Sequence, residues 1–242
     1  MVEMLEAVVF DMDGVIAETE GEGHRVAFNE VFKAEGIKAE WDYDTYGELL
    51  KISGGKERMR SYFREHEGLT VPEDEWDDYI AALHRKKTLI FQDLIKNGKI
   101  PPRPGVRDFV QSIINSRVYL ALATTSNEKA AHTLITSLLG KQIHNKFDAI
   151  LAGDVVHRKK PDPEIYNLAV ERLEIDPAKS FVIEDTRNGL EAALSAGFHV
   201  CVTSSAYTKH EDFTGAAFVV DDLLSGNITV EKLDRYIQEK HS

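Results

Sequence analysis

Six short apolar runs recur along the chain, Ala7 to Phe10, Val118 to Ala123, Ala149 to Ala152, Phe181 to Ile183, His199 to Val202 and Ala217 to Val220, with helical patterns between them. They lack the in–out alternation of a half-solvated strand, so they predict strands buried on both faces and hence a parallel α/β sheet. Ligands on such sheets bind beyond the carboxyl ends of the strands, so the residues that follow each run carry the first information about chemistry. Between Glu20 and Gly98 helical periodicity takes over. Phe28, Val31 and Phe32 fall at helical spacing before Gly36, and Trp76, Ile80, Leu83, Lys87, Ile90 and Leu94 form the stripe of a longer helix. Pro101-Pro102-Arg103-Pro104-Gly105 then breaks helix and restores the α/β pattern. The expected organisation is an α/β core, residues 1–19 and 99–242, interrupted after its first strand by an all-helical insert, residues 20–98.

Composition narrows the partners. Against 29 basic residues stand 41 acidic ones, a formal charge of −12 that repels nucleic acid and anionic lipid unless positive charge is concentrated locally. The single cysteine, Cys201, excludes an intrachain disulfide and any multi-cysteine metal site, and its apolar run makes it a buried structural thiol. Residues 1–10 lack the basic flank and cleavage site of a signal peptide, and no apolar stretch approaches the ~18 residues of a membrane span. The expectation is a cytoplasmic monomer acting on a small molecule, or a stromal one if a chloroplast precursor has been processed.

Four signals lie where strands end. The first run passes into Asp11-Met12-Asp13-Gly14, with both carboxylates on the same side of the strand and a glycine that permits a sharp turn. Adjacent carboxylates repel, and a hard divalent cation such as Mg²⁺ relieves that repulsion. The second run stops at Thr124-Thr125-Ser126-Asn127, whose hydroxyls and amide can hydrogen-bond phosphate oxygens or cap a helix. Lys159-Lys160-Pro161 offers a cation to neutralise phosphoryl charge or a solvated basic loop, and Phe181 to Ile183 ends in a second acidic pair, Glu184-Asp185.

Taken in this order, the four signals resemble the haloacid dehalogenase superfamily of hydrolases, and the helical insert directly after the first motif resembles that family's four-helix cap. The resemblance implies a Rossmann-like parallel sheet with an inserted cap domain. It implies that Asp11 is a nucleophile that takes a phosphoryl group, that Asp13 is the general acid and base, and that Thr124 and Lys160 hold the equatorial oxygens. Mg²⁺ is implied at Asp11, the backbone carbonyl of Asp13 and Asp185, with Glu184 a further ligand or an outer partner.

Three stretches of the insert stand out, Glu20 with His24-Arg25, Ser53-Gly54-Gly55-Lys56 and His84-Arg85-Lys86-Lys87. Lys56 and the His84 to Lys87 cluster are local positive charge suited to a second anionic group, and Gly54-Gly55 either lets backbone N–H groups approach an oxyanion or forms a flexible turn before a solvated lysine. Lys87 falls on the inward stripe, where a lysine either snorkels outward or reaches a ligand. These stretches resemble the CbbY-type phosphatases of xylulose 1,5-bisphosphate. That resemblance implies substrate contacts at Glu20, His24, Ser53, Gly54, Gly55, Lys56, His84, Arg85 and Lys87, with Asp11, Thr124, Thr125, Ser126, Asn127 and Lys160 in the core. Gly21-Glu22-Gly23 departs from the pattern with a longer spacing before His24. β-Phosphoglucomutase, which returns the phosphoryl group to a sugar hydroxyl, and a catalytically silent phosphate sensor stand as alternatives.

Overall fold

The computed structural model describes residues 4–52, 54–65, 75–153 and 155–241. Six strands, β1 (Ala7–Phe10), β2 (Tyr119–Ala123), β3 (Ala149–Leu151), β4 (Ser180–Glu184), β5 (His199–Thr203) and β6 (Phe218–Val220), form one parallel sheet of order β3-β2-β1-β4-β5-β6. Each corresponds to one of the six apolar runs, with ends differing by a residue or so. Alternate side chains serve opposite faces. Ala7, Val9, Ala121, Val182 and Val200 join one buried cluster with α8 (Glu164–Leu173) and α9 (Arg187–Ser195). On the other face Phe10 meets Phe109 of α5 (Val106–Ile114) at 5.9 Å between ring centres, and Phe181 meets Tyr236 of α10 (Val230–Lys240) at 5.5 Å. Cover on both faces is why the strands read as unbroken apolar runs. The fold is an α/β, Rossmann-like parallel sheet.

Register places the chemistry. Phe10 pairs with Ile183, so Asp11 and Glu184 stand level at the ends of neighbouring central strands, and the Asp11 N–H donates to Ile183 O at 2.9 Å. On the other side Phe10 pairs with Leu122, which carries Thr124 to the same end of the sheet.

The chain forms two compact units, Met1–Glu18 with Pro101–Ser242, and Thr19–Ile100. The second is built from α1 (Val26–Ala34), α2 (Tyr43–Leu50), α3 (Gly55–Glu65) and α4 (Trp76–Lys96). Its core is aromatic: Trp41 lies 4.6 Å from Phe28 and 5.0 Å from Phe32, and the Asn29 amide bonds both N and O of Trp41 at 2.8 Å. The inward stripe of α4 is Ile80, Leu83, Lys87, Phe91 and Ile95, which corrects the expected continuation through Ile90 and Leu94. Beyond Lys87 the buried positions advance by fours, so the stripe drifts round α4 instead of holding one face as alternating steps of three and four would. The longer spacing before His24 is absorbed as a π-helical turn, Glu20–Arg25, in which the His24 N–H reaches back to Thr19 O at 2.6 Å.

Candidate active site

Asp11, Glu184 and Asp185 each offer a carboxylate oxygen within 4.8 Å of the others, all buried. One cation enters the group: Lys160 Nζ donates to Asp11 Oδ1 and Glu184 Oε1, both at 2.6 Å, and to Ala123 O at 3.1 Å. Three carboxyl groups thus crowd around one ammonium. Burial, opposed by Lys160 and reinforced by Glu184 and Asp13, pushes the Asp11 carboxyl up to about 7. Asp185 is driven well above the ordinary carboxyl range by burial and by Glu184, Asp11 and Glu18, with Arg103 pulling back. Burial acts against charge on Glu184 too, but Lys160 and Tyr166 hold it below its usual value. Burial likewise opposes the Lys160 charge, which Asp11 and Glu184 more than restore.

Glu184 is committed to the protein. Its Oε1 accepts from Lys160 and from Tyr166 Oη at 2.7 Å, and its Oε2 accepts from the Asp185 N–H at 3.0 Å and, at 3.4 Å, from Thr186. Asp185 owes its place to a glycine. Gly14 has φ +79°, and a Cβ there would lie 2.0 Å from Asp185 Oδ2, so Asp185 rests directly on its backbone. Asp13 stands outside the trio, and its Oδ2 accepts from Ser126 Oγ. Thr124 is 2% exposed, its N–H donating to Leu151 O at 2.9 Å and its Oγ1 accepting from the Ser126 N–H at 3.1 Å. Thr125 is half-buried beside it. The Asn127 side chain caps α6 (Glu128–Leu139) by accepting from the N–H groups of Lys129 and Ala130.

In the helical unit, Lys87 is 5% exposed, with Nζ 2.7 Å from His24 Nδ1 and 4.5 Å above the Phe28 ring. His24 stacks on Phe91 at 3.9 Å, and burial together with Lys87, Arg58 and His84 holds its imidazole well below the usual range, hence neutral. Glu20 Oε2 accepts from Tyr46 Oη at 2.6 Å. Gly54 has φ +95°, and a Cβ on Gly55 would lie 2.8 Å from His84 Nε2, so only glycine brings the start of α3 this close to His84. Lys56 is exposed and depresses the His84 imidazole after burial and Lys87. Arg85 is exposed, one position round α4 from His84. Ser53 lies outside the described residues. Sequence reading passed over Tyr166, Arg103 and Arg58. The first sits six residues after Lys160 on an α/β helix and looks like ordinary core, but Arg58 had a signal in its place one turn into the helix that Gly55 starts.

Residues 5–197 match the model of the haloacid dehalogenase-like hydrolases. The chain belongs to that family. A CBBY-like protein of Arabidopsis thaliana is 48% identical over 89% of this chain and 68% of its own length. Protein CbbY of Cereibacter sphaeroides is 42% identical over 90% and 92%. The crystal structure of a mutant CbbY from Rhodobacter sphaeroides in complex with xylulose-(1,5)bisphosphate superposes with TM-score 0.75 at 40% identity, covering 91% of this chain and 95% of that one.

Proposed function

We propose that this hydrolase is a Mg²⁺-dependent phosphatase of xylulose 1,5-bisphosphate that works through an aspartyl phosphate. It is a phosphoric monoester hydrolase whose substrates are sugar phosphates. The observation that carries the chemistry is the meeting of Asp11, Lys160, Glu184 and Asp185 around one point at the sheet's carboxyl edge. The substrate rests on likeness to CbbY, including the structure that binds xylulose bisphosphate.

The donor set fits Mg²⁺. It is all oxygen and buried, and sets three carboxyl groups against one ammonium, the donors a hard divalent cation takes. Asp11 and Asp185, with the Asp13 carbonyl, would hold the ion, while Glu184 is occupied in holding Lys160. Bound there, Mg²⁺ supplies positive charge that keeps Asp11 ionised and offsets charge on the transferring phosphoryl group.

Asp11 attacks phosphorus, the bond from phosphorus to the sugar oxygen breaks, and Asp13 gives its proton to the departing alkoxide. Asp13 then takes a proton from water, which attacks the aspartyl phosphate, releasing inorganic phosphate and restoring the Asp11 carboxylate. Ser126 orients Asp13 through its hydrogen bond, and Thr124 and Lys160 hold phosphoryl oxygens in line. Residues 1–19 and 99–242 act as the catalytic domain, and the helical cap, 20–98, selects the substrate. Glu20, His24, Ser53 to Lys56, His84, Arg85 and Lys87 recognise the sugar and its second phosphate, and Thr125 to Asn127 complete the phosphate loop.

Phosphate release from xylulose 1,5-bisphosphate, compared with glucose 1-phosphate plus a bisphosphate primer, with Mg²⁺ or EDTA, tests this reading. Rapid Mg²⁺-dependent release from the pentulose supports it, and conversion of the hexose phosphate in preference would make the protein a mutase. Asp11→Asn should abolish turnover while the fold persists; retained activity would refute the nucleophile.

A further inference from the structure

One side chain in the segment returning from the helical unit does something the chemistry above does not use. Arg103 donates to four backbone carbonyls from three strand-end loops: Nη1 to Gly14 O and, at 2.8 Å, Thr203 O; Nη2 to Asp221 O and, at 2.8 Å, Ser204 O. Its own N–H donates to Ile16 O at 2.8 Å, and the neighbouring Pro102 pairs antiparallel with Ala17. The loops after β1, β5 and β6 are thus joined through one planar cation. Among side chains only a guanidinium has enough donors, in a rigid enough fork, to serve four carbonyls at once.

Of those acceptors, Gly14 bears on the site. It follows Asp13, and the Asp185 carboxylate lies against its Cα so closely that no Cβ could stand between them. Asp185 is therefore seated on Gly14, and whatever fixes Gly14 fixes how far Asp185 stands from Asp11. Arg103 fixes it from the carbonyl side.

We propose that Arg103 is a positioning residue for the acidic cluster: by holding the Gly14 carbonyl it sets the seat of Asp185, and with it the spacing at which Asp11 and Asp185 receive a divalent cation. This rests on the Mg²⁺ dependence proposed above, and extends it to a residue that touches neither cation nor substrate. A merely structural clamp would lower stability alone. Arg107 provides the comparison, since its guanidinium binds Leu138 O and, at 3.1 Å, Leu139 O at the end of α6.

The experiment measures Mg²⁺ binding to the full chain by calorimetry without substrate, melting in EDTA, and kcat and KM for phosphate release, in Arg103→Lys, Arg103→Ala and Arg107→Ala. Arg107→Ala is expected to melt lower while its Mg²⁺ dissociation constant stays at the wild-type value. Both Arg103 variants are expected to bind Mg²⁺ about tenfold or more weakly, as removal of outer-sphere partners does elsewhere. They should lose kcat more than they raise KM, with part of the rate recovered at high Mg²⁺. Should Arg103→Ala not fold, Arg103→Lys decides. Wild-type Mg²⁺ affinity in Arg103→Lys, or equal weakening in Arg107→Ala, overturns the proposal. A wild type that binds Mg²⁺ but releases no phosphate defeats the functional reading and leaves the binding comparison intact; a wild type that binds no Mg²⁺ defeats both.

Discussion

Gly189 occupies the first turn of α9, where alanine is ordinarily about 1 kcal/mol better than glycine. Here the sign reverses, because a Cβ would lie 1.9 Å from the Glu184 carboxyl carbon. Gly189→Ala is expected to destabilise by about 1–3 kcal/mol, the usual cost of overpacking, and to cut kcat by displacing the carboxylate that holds Lys160. Melting curves and turnover of the purified variant check it, and a stabilised, fully active protein would contradict it. Cys201 is a second residue whose behaviour follows from its surroundings. Burial pushes its thiol up to about 12, so a thiol reagent at pH 8 should react with the native protein far more slowly than with the denatured chain.

At the scale of elements, α4 buries a lysine in an apolar stripe. If Lys87 were there for packing, an apolar residue of similar length would be harmless to function. Burying a charge is costly, so Lys87→Met should melt at the wild-type temperature or above it. Its KM for the bisphosphate is expected to rise by about tenfold or more while that for a monophosphate barely moves; equal shifts for the two would remove Lys87 from substrate recognition. The π-helical turn beside it shows a one-residue excess absorbed within a helix, with Gly23 close enough to Phe91 and Ile100 that a Cβ would lie 2.7 Å from each.

For the whole molecule, the acidic cluster ties stability to pH and metal. Asp11 holds its proton to about 7 in the fold, against an ordinary 3.8, and Asp185 shifts the same way. A carboxyl with a raised folded pKa stabilises fully below its unfolded value and loses that contribution as pH rises through the folded one. The metal-free protein should therefore lose stability from about pH 4 to pH 7 through Asp11. Mg²⁺ competes with those protons, and a ligand of the native state stabilises by mass action. The melting increment that Mg²⁺ produces over EDTA should accordingly grow between pH 5 and pH 8, and calorimetry across that range shows whether it does. What the amino-acid order determined by itself was local: six apolar runs, the reactive groups that follow them, a helical insert and the glycines at its turns, since strand length, periodicity and turn chemistry are written in neighbouring residues. The tertiary structure alone decided that β1 lies between β2 and β4, which brings Asp11 against residues 149 to 174 positions away. It alone spent Glu184 on Lys160 and Tyr166, turned α4 onto Phe91 and Ile95, and closed Arg103 over Gly14. Those outcomes depend on register and on contacts between distant segments, and no window of sequence contains them.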